Sequence, residues 1–179
     1  MTLNTPLLAA GAMADALKEL APTGKLRAAI NLGNSVLAQK DEATGEIKGI
    51  TPDLARELGR RLGVPVELVP YNAAGKVFDD AGSGNWDIAF VAIEPVRASV
   101  IEFSAPYVII EGTYMVRNNS PLKTIADVDR PGVRIAVGPK SAYDLYLTRT
   151  IKHATLVRAP AGGGRAMIDM FVKHKLEVA

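Results

Sequence analysis

The sequence contains no cysteine and only two histidines among its 179 residues. The missing thiols exclude disulfide bonds, thiolate nucleophiles and cysteine-ligated zinc or iron–sulfur sites. His153 and His174 stand far apart, with no H-E-x-x-H pattern, so we expect both at exposed helix ends. The sequence therefore predicts no metal site, and no cofactor is expected.

The sequence also lacks an excess of one charge and a long apolar run. It has 21 Lys and Arg against 19 Asp and Glu, for a net charge of +2, and its basic residues form no stripe. This balance argues against nucleic-acid binding. No run approaches the roughly 18 apolar residues of a spanning helix, so no membrane insertion is expected.

The N-terminus carries a short apolar stretch. Residues Thr5 to Ala14 end in Ala-Met-Ala, similar to the core and cleavage site of a signal peptide, but no Lys or Arg precedes them. The simpler interpretation is an amphipathic helix with Met13, Leu17 and Leu20 on one face. Without a convincing signal peptide, the cytoplasm is not excluded as the compartment.

What is present is an alternation of strand and helix patterns. In the first half, apolar runs predict strands and amphipathic stretches predict helices, over Leu26–Leu32, from Thr51 to Gly63, and over Val64–Val69, Ala74–Ala81 and Asp87–Ile93. The second half repeats this order, with strands at Val133–Val137 and Thr155–Arg158, a third beginning at Lys175–Ala179, and helices after Ser141 and after the glycines 162–164. The apolar run within Pro106–Arg117 is the predicted crossover.

Two helix starts carry clear local signals. Thr51 is the expected N-cap of the first helix, with Pro52 in the first helical position and Leu54, Leu58 and Leu62 as its buried stripe. Ser141 is the expected N-cap of a later helix, with Asp144 completing an S-x-x-D capping box. Both signals place a helix after a strand, as α/β proteins require.

Several motifs then stand in a specific order. They are Gly49-Ile-Thr-Pro-Asp-Leu-Ala, Trp86-Asp-Ile-Ala, Ala92-Ile-Glu-Pro-Val-Arg97, Glu102-Phe-Ser-Ala-Pro-Tyr107 and the stretch Leu122–Val137. Together they resemble the periplasmic solute-binding proteins of ABC transporters, bacterial family 3, the amino-acid-binding type. The resemblance covers roughly residues 24–179.

The resemblance implies the α/β, two-lobed type II periplasmic-binding-protein fold. Each lobe would be a βαβαβ sheet flanked by helices, and the ligand would bind in the crevice between the lobes. The expected division is an N-terminal extension over 1–23, lobe 1 over 24–109, a crossover hinge over 110–117 and an incomplete lobe 2 over 118–179.

The resemblance also implies the site residues. Arg97 matches the arginine that grips the ligand carboxylate, and Ser141 matches a hydroxyl in the second lobe. Ala92 falls at a hydroxyl position and Glu94 where threonine is usual. The remaining candidates are Asn34 and Ser35 on the loop after the first strand, where the family's aromatic stacker is missing, and Glu111 near the crossover.

These features favour a binding protein that closes on a small carboxylate-bearing ligand, an amino acid or an organic acid, for an ABC-type transporter. The family resemblance places such a protein in the periplasm. One alternative is a small-acid lyase resembling cyclohexadienyl dehydratase, with Glu94 or Glu111 as acid or base. Another is a ligand-sensing effector domain, although no DNA-binding helix pair accompanies it.

The family's chain crosses back to the first lobe, and that return crossing is missing here. Its amine-binding aspartate would lie beyond Ala179. Two expectations follow: the sequence is truncated or incompletely recorded, or a second copy covers the open sheet edges in a homodimer.

Overall fold

A computed structural model describes residues 14–160 and 163–179. Residues 14–20 are helical, and Leu17 and Leu20 lie on this helix. Of the predicted signal-like run, only Ala14 belongs to the described residues. Gly162, the first of the three glycines at 162–164, also lies outside them. No described helix combines the length and apolar character needed to cross a membrane.

The chain packs as two compact units. The first unit holds the described residues up to Tyr71 together with Asp80–Phe90, and the second holds Asn72–Asp79 together with Val91–Ala179. Residues 91–109, expected in the first lobe, therefore pack with the second unit. The predicted lobe limits stay a prediction, because they come from the family pattern whereas the units reflect packing.

Besides the helix at residues 14–20, the described part of the first unit forms five strands and one longer helix. In chain order they are β1 (Leu26–Asn31), β2 (Gln39–Lys40), β3 (Ile47–Lys48), α1 (Ile50–Leu62), β4 (Val66–Tyr71) and β5 (Ile88–Ala89). Strand β1 lies between β4 and β5 in a parallel sheet, with Leu26 opposite Val66 and Ala28 opposite Ile88. The predicted third strand is shorter than expected, since only two of its residues pair.

Helix α1 begins at Ile50, two residues before the predicted first helical residue, Pro52. Its N-cap is Gly49, with φ 127°, instead of Thr51. A side chain at Gly49 would meet the carbonyl oxygen of Leu37 at 2.5 Å, so the backbone requires glycine there. The predicted apolar stripe is also wrong: Leu54 is exposed, and the buried residues are the small or compact ones, Thr51, Pro52, Ala55 and Gly59. Small residues let the helix backbone approach the sheet closely.

The second unit repeats the same strand order. Its elements are α2 (Ala74–Asp79), α3 (Pro95–Ala98), a 3₁₀ turn (Ile125–Asp127), β6 (Arg134–Val137), α4 (Ala142–Thr150), β7 (Thr155–Arg158) and α5 (Gly164–Lys173). Strand β6 pairs in parallel with β7 on one side and, through Ile135, with Val178 on the other. The central position of the first strand in each unit confirms the predicted internal repetition.

The crossover run forms no regular helix or strand. Residues 108–110 are exposed, although the sequence is apolar. Met115 forms a backbone pair with Ala179, with each N–H donating to the other residue's carbonyl at 2.7 and 2.9 Å. This antiparallel contact places the end of the crossover beside the third strand position of the second unit.

The same Arg–carboxylate pairing recurs in both units. Arg27 on β1 donates from Nε and Nη2 to the carboxylate of Asp87, at 3.0 and 2.5 Å, just before β5. Arg134 on β6 donates from Nε and Nη2 to Glu177, at 2.9 and 2.8 Å, just before Val178. We call these pairs the two strand clamps. Each joins the first strand of its unit to the third, which lies far away in sequence.

Candidate functional site

The candidate site begins at the turn that opens α3. Glu94 is the N-cap of this short helix and Pro95 takes its first position, so Arg97 falls on its third residue. The Arg97 side chain is fully buried. Its Nη1 donates to the carbonyl of Ala92 and its Nη2 to the carbonyl of Lys140, both at 3.0 Å.

The Arg97 guanidinium retains an unused donor. Among the described residues, Nε has no hydrogen-bond partner although it is buried. Burial lowers the pKa of Arg97 from the usual arginine value, and the nearby Glu94 carboxylate acts in the opposite direction. A buried donor without a partner costs folding free energy, so this guanidinium is suited to donating a hydrogen bond to an anionic group.

Glu94 is buried and ion-paired. Its carboxylate accepts from Nη1 of Arg149 at 2.6 Å and from Nη2 at 3.2 Å. Arg149 projects from α4 and also donates to the carbonyl of Leu145. The sequence identified Glu94 as a candidate but gave no signal for Arg149, which lies 55 residues away.

The turn before α4 supplies the second carbonyl to Arg97. Lys140 has φ 55°, which is uncommon for a residue other than glycine. Its N–H donates to Asp144 at 2.8 Å, and its ammonium group pairs with Asp79 on α2. These contacts hold the Lys140 carbonyl against Arg97, and sequence reasoning missed this residue.

Ser141 caps α4 as predicted. Its hydroxyl oxygen accepts from the N–H of Asp144 at 3.1 Å. Asp144 does not complete the predicted box, because its carboxylate accepts from the N–H of Lys140 instead and pairs with Arg158 at 2.8 Å. The Ser141 hydroxyl therefore has a structural role whether or not it contacts a ligand.

The remaining predicted residues lie elsewhere. Asn34 and Ser35 belong to the first unit, where the Asn34 side chain accepts from the N–H of Val36 at 3.2 Å and Ser35 is exposed. Glu111 is exposed in the second unit. The structure thus brings together Ala92, Glu94 and Arg97, and places Lys140, the neighbour of Ser141, against them.

Other site types find no support in the part of the chain that is described. Among residues 14–160 and 163–179, no group of three or more His, Asp or Glu side chains is arranged to hold a metal ion. The lining of a cavity of about 410 Å³ in the second unit includes the apolar residues Pro121, Leu122, Pro131 and Val133 and the charged residues Arg117 and Glu177. Both of these charged groups are already bonded within the chain, Arg117 to the carbonyls of Phe171 and Leu176, and Glu177 to Arg134.

Comparison with protein families yields a match over most of the chain. Residues 12–175 match the family described as bacterial extracellular solute-binding proteins, family 3. This match confirms the resemblance that the sequence motifs carry.

Solved structures of binding proteins share the fold. The ancestral amino acid-binding protein AncCDT-1, described as a precursor of cyclohexadienyl dehydratase, is 22% identical with a TM-score of 0.75, over 93% of this chain and 72% of that one. A putative ABC-transporter binding component from Wolinella succinogenes DSM 1740, complexed with lysine, is 22% identical with a TM-score of 0.72, over 87% and 67%.

The arginine-bound form of a truncated ArgBP from T. maritima is similar as well. It is 25% identical with a TM-score of 0.72, over 92% of this chain and 74% of that one. The fold of this chain is accordingly the α/β fold of type II periplasmic-binding proteins.

Proposed function

Because the chain belongs to family 3 of the bacterial extracellular solute-binding proteins, we propose that it binds a small carboxylate-bearing ligand, an amino acid or an organic acid. In this proposal the two lobes close on the ligand in the periplasm and present it to the membrane subunits of an ABC-type transporter. Ligand binding stabilises the closed conformation of a two-lobed protein, and a partner can distinguish this conformation from the open one.

The observation that carries the proposal is the unused Nε of Arg97. Both strand clamps of this chain bind a carboxylate through the Nε and Nη2 edge of an arginine. At Arg97 the same edge has a free Nε, while Nη2 rests on the Lys140 carbonyl. We propose that a ligand carboxylate takes this edge and displaces that carbonyl.

The other predicted residues have supporting roles in the proposal. Ala92 and Glu94 line the Arg97 turn, and the Ser141 hydroxyl contributes a further hydrogen bond to the ligand. Asn34, Ser35 and Glu111 stay predictions of ligand contact that rest on the family resemblance alone.

The test is a binding panel of amino acids and organic acids. A ligand that binds the folded state raises the melting temperature, and calorimetry then gives its Kd. We expect Arg97→Lys to weaken the best carboxylate by about 1.5 to 3 kcal/mol, because lysine cannot reproduce the two-donor edge.

The matched control is Arg165→Lys, because Arg165 is exposed on α5 and pairs only with Asp169 at 3.6 Å among the described contacts. This control should bind like the wild type. If Arg97→Lys retains full affinity while still folded, the carboxylate assignment is wrong.

The lyase alternative has less support. Both carboxylate oxygens of Glu94 accept hydrogen bonds from Arg149, so this carboxylate is already engaged within the chain. Incubating the wild type with dehydratable acids and following their consumption separates the lyase from a binding protein. The effector-domain alternative stays a prediction.

A further inference from the structure

The Glu94 carboxylate beside Arg97 already forms an ion pair with Arg149. The Glu94 side chain is only 7% exposed, whereas that of Arg149 is 40% exposed and reaches it from α4. Two hydrogen bonds, at 2.6 and 3.2 Å, join the guanidinium to both carboxylate oxygens. A third bond from Nη1 to the Leu145 carbonyl holds Arg149 in this orientation.

Because Arg149 neutralises the Glu94 carboxylate, the group formed by Arg97, Glu94 and Arg149 carries a net positive charge. Arg97 and Arg149 contribute two positive charges and Glu94 one negative charge, so this group carries +1. The flanking charges cancel, because Lys140 pairs with Asp79 and Asp144 pairs with Arg158. Without Arg149 the group would be neutral, and a buried carboxylate would lack its partner.

We infer that Arg149 is a specificity-determining residue that selects against cationic ligands. A carboxylate-bearing ligand gains from a site with a charge of +1, but an additional ammonium or guanidinium group on the ligand meets Arg149 where Glu94 would otherwise receive it. The site therefore prefers acidic and neutral carboxylates to basic amino acids. This inference rests on the proposed function, since it concerns the ligand of the Arg97 site.

If Arg149 has this role, changing the net charge of the group should change which ligand the protein prefers. Arg149→Met lowers the charge of the group from +1 to 0 and frees Glu94, so it should favour a basic amino acid. Glu94→Gln raises the charge to +2 and should favour a dicarboxylate. The double variant Glu94→Gln/Arg149→Met returns the charge to +1 and should bind with the wild-type preference.

The experiment measures Kd by calorimetry for arginine, glutamine and glutarate on the wild type and on the three variants. In Arg149→Met, the affinity for arginine relative to glutarate should rise by about tenfold, because the variant removes a positive charge that solvent only partly screens. The control Arg165→Met removes an equal charge from an exposed position and should leave the ratio unchanged.

Each outcome decides the inference. If glutarate or glutamine binds the wild type and the ratio is the same in Arg149→Met, the role of Arg149 is wrong while the carboxylate site stands. If Arg149→Met does not fold, Glu94→Gln tests the same charge argument: an unchanged ratio of arginine to glutarate affinity in that variant overturns the inference. If the wild type binds no amino acid or organic acid of the panel, the proposed function fails and this inference fails with it.

Discussion

Gly59 shows how a single residue positions the first unit. It lies on the face of α1 that packs against the sheet, and a Cβ built on it would lie 2.1 Å from Cγ2 of Val66 and 3.0 Å from the carbonyl oxygen of Val64. Glycine weakens a helix by about 1 kcal/mol relative to alanine, so its presence there has a packing reason. The helix backbone comes as close to β4 as it does because no side chain intervenes.

We predict that Gly59→Ala destabilises the protein by about 1 to 3 kcal/mol, because overpacking outweighs the gain in helix propensity. Urea unfolding measures the change. Adding Val66→Ala removes the atom in closest contact and should recover part of the loss. If Gly59→Ala alone is as stable as the wild type, the close packing of α1 on β4 is not rigid.

At the scale of elements, both strand clamps join the first strand of a unit to the third, but they differ in solvent exposure. Asp87 is 4% exposed and Glu177 is 36% exposed. Burial raises the pKa of Asp87, but the hydrogen bonds from Arg27 outweigh burial and leave the pKa below its usual range. The hydrogen bonds from Arg134 lower the pKa of Glu177 to about 2.

We predict that Asp87→Asn costs more than Glu177→Gln. The first variant leaves the mostly buried Arg27 without its charge partner and should cost about 3 kcal/mol, whereas the exposed clamp should be worth about 1 kcal/mol or less. Urea unfolding at neutral pH compares the two. Equal losses would mean that burial does not set the strength of these clamps.

The exposed clamp also predicts a pH dependence. The pKa of Glu177 is lowered in the folded state from 4.5 to about 2, so its contribution is complete above pH 4.5 and is lost as the pH falls towards 2. The difference in unfolding free energy between the wild type and Glu177→Gln should therefore shrink across this window. In an Arg134→Gln background, Glu177→Gln should cause a smaller pH-dependent difference, because only the backbone N–H bonds to Glu177 then remain.

At the scale of the whole molecule, the apolar cores centre on the first strand of each unit. One core contains Ala28 and Ile30 of β1, packed with Ala38 and Ala55. The second unit has two clusters, one around Ile135 and Val137 and the other around Ala136, Met170 and Phe171. The exposed apolar residues of the crossover, Val108 to Ile110, contribute to none of these three cores.

This distribution predicts where the protein opens most readily. Hydrogen exchange followed by mass spectrometry should find the slowest amides in Ala28–Ile30 and Ile135–Val137, close to the limit set by global unfolding. Residues 108–112 should exchange orders of magnitude faster. Comparable protection in both regions would contradict this arrangement of the cores.

Sequence alone determined the elements that depend on local signals. Apolar runs located β1, β6 and β7, the cap at Ser141 located the start of α4, and several ordered motifs, among them the one that ends in Arg97, indicated the family. Each of these signals is local, because a strand pattern, a helix cap or a single family motif spans only a few residues.

Only the tertiary structure decided which distant groups meet. Glu94 meets Arg149 over 55 residues, Arg27 meets Asp87 over 60, and the Lys140 carbonyl reaches Arg97 over 43. The burial of the small face of α1 instead of its leucines depends on the same packing. These contacts join residues that are far apart in the chain, and no sequence periodicity marks them. The hydrogen bonding and burial at the candidate site therefore follow from the fold and not from a local pattern.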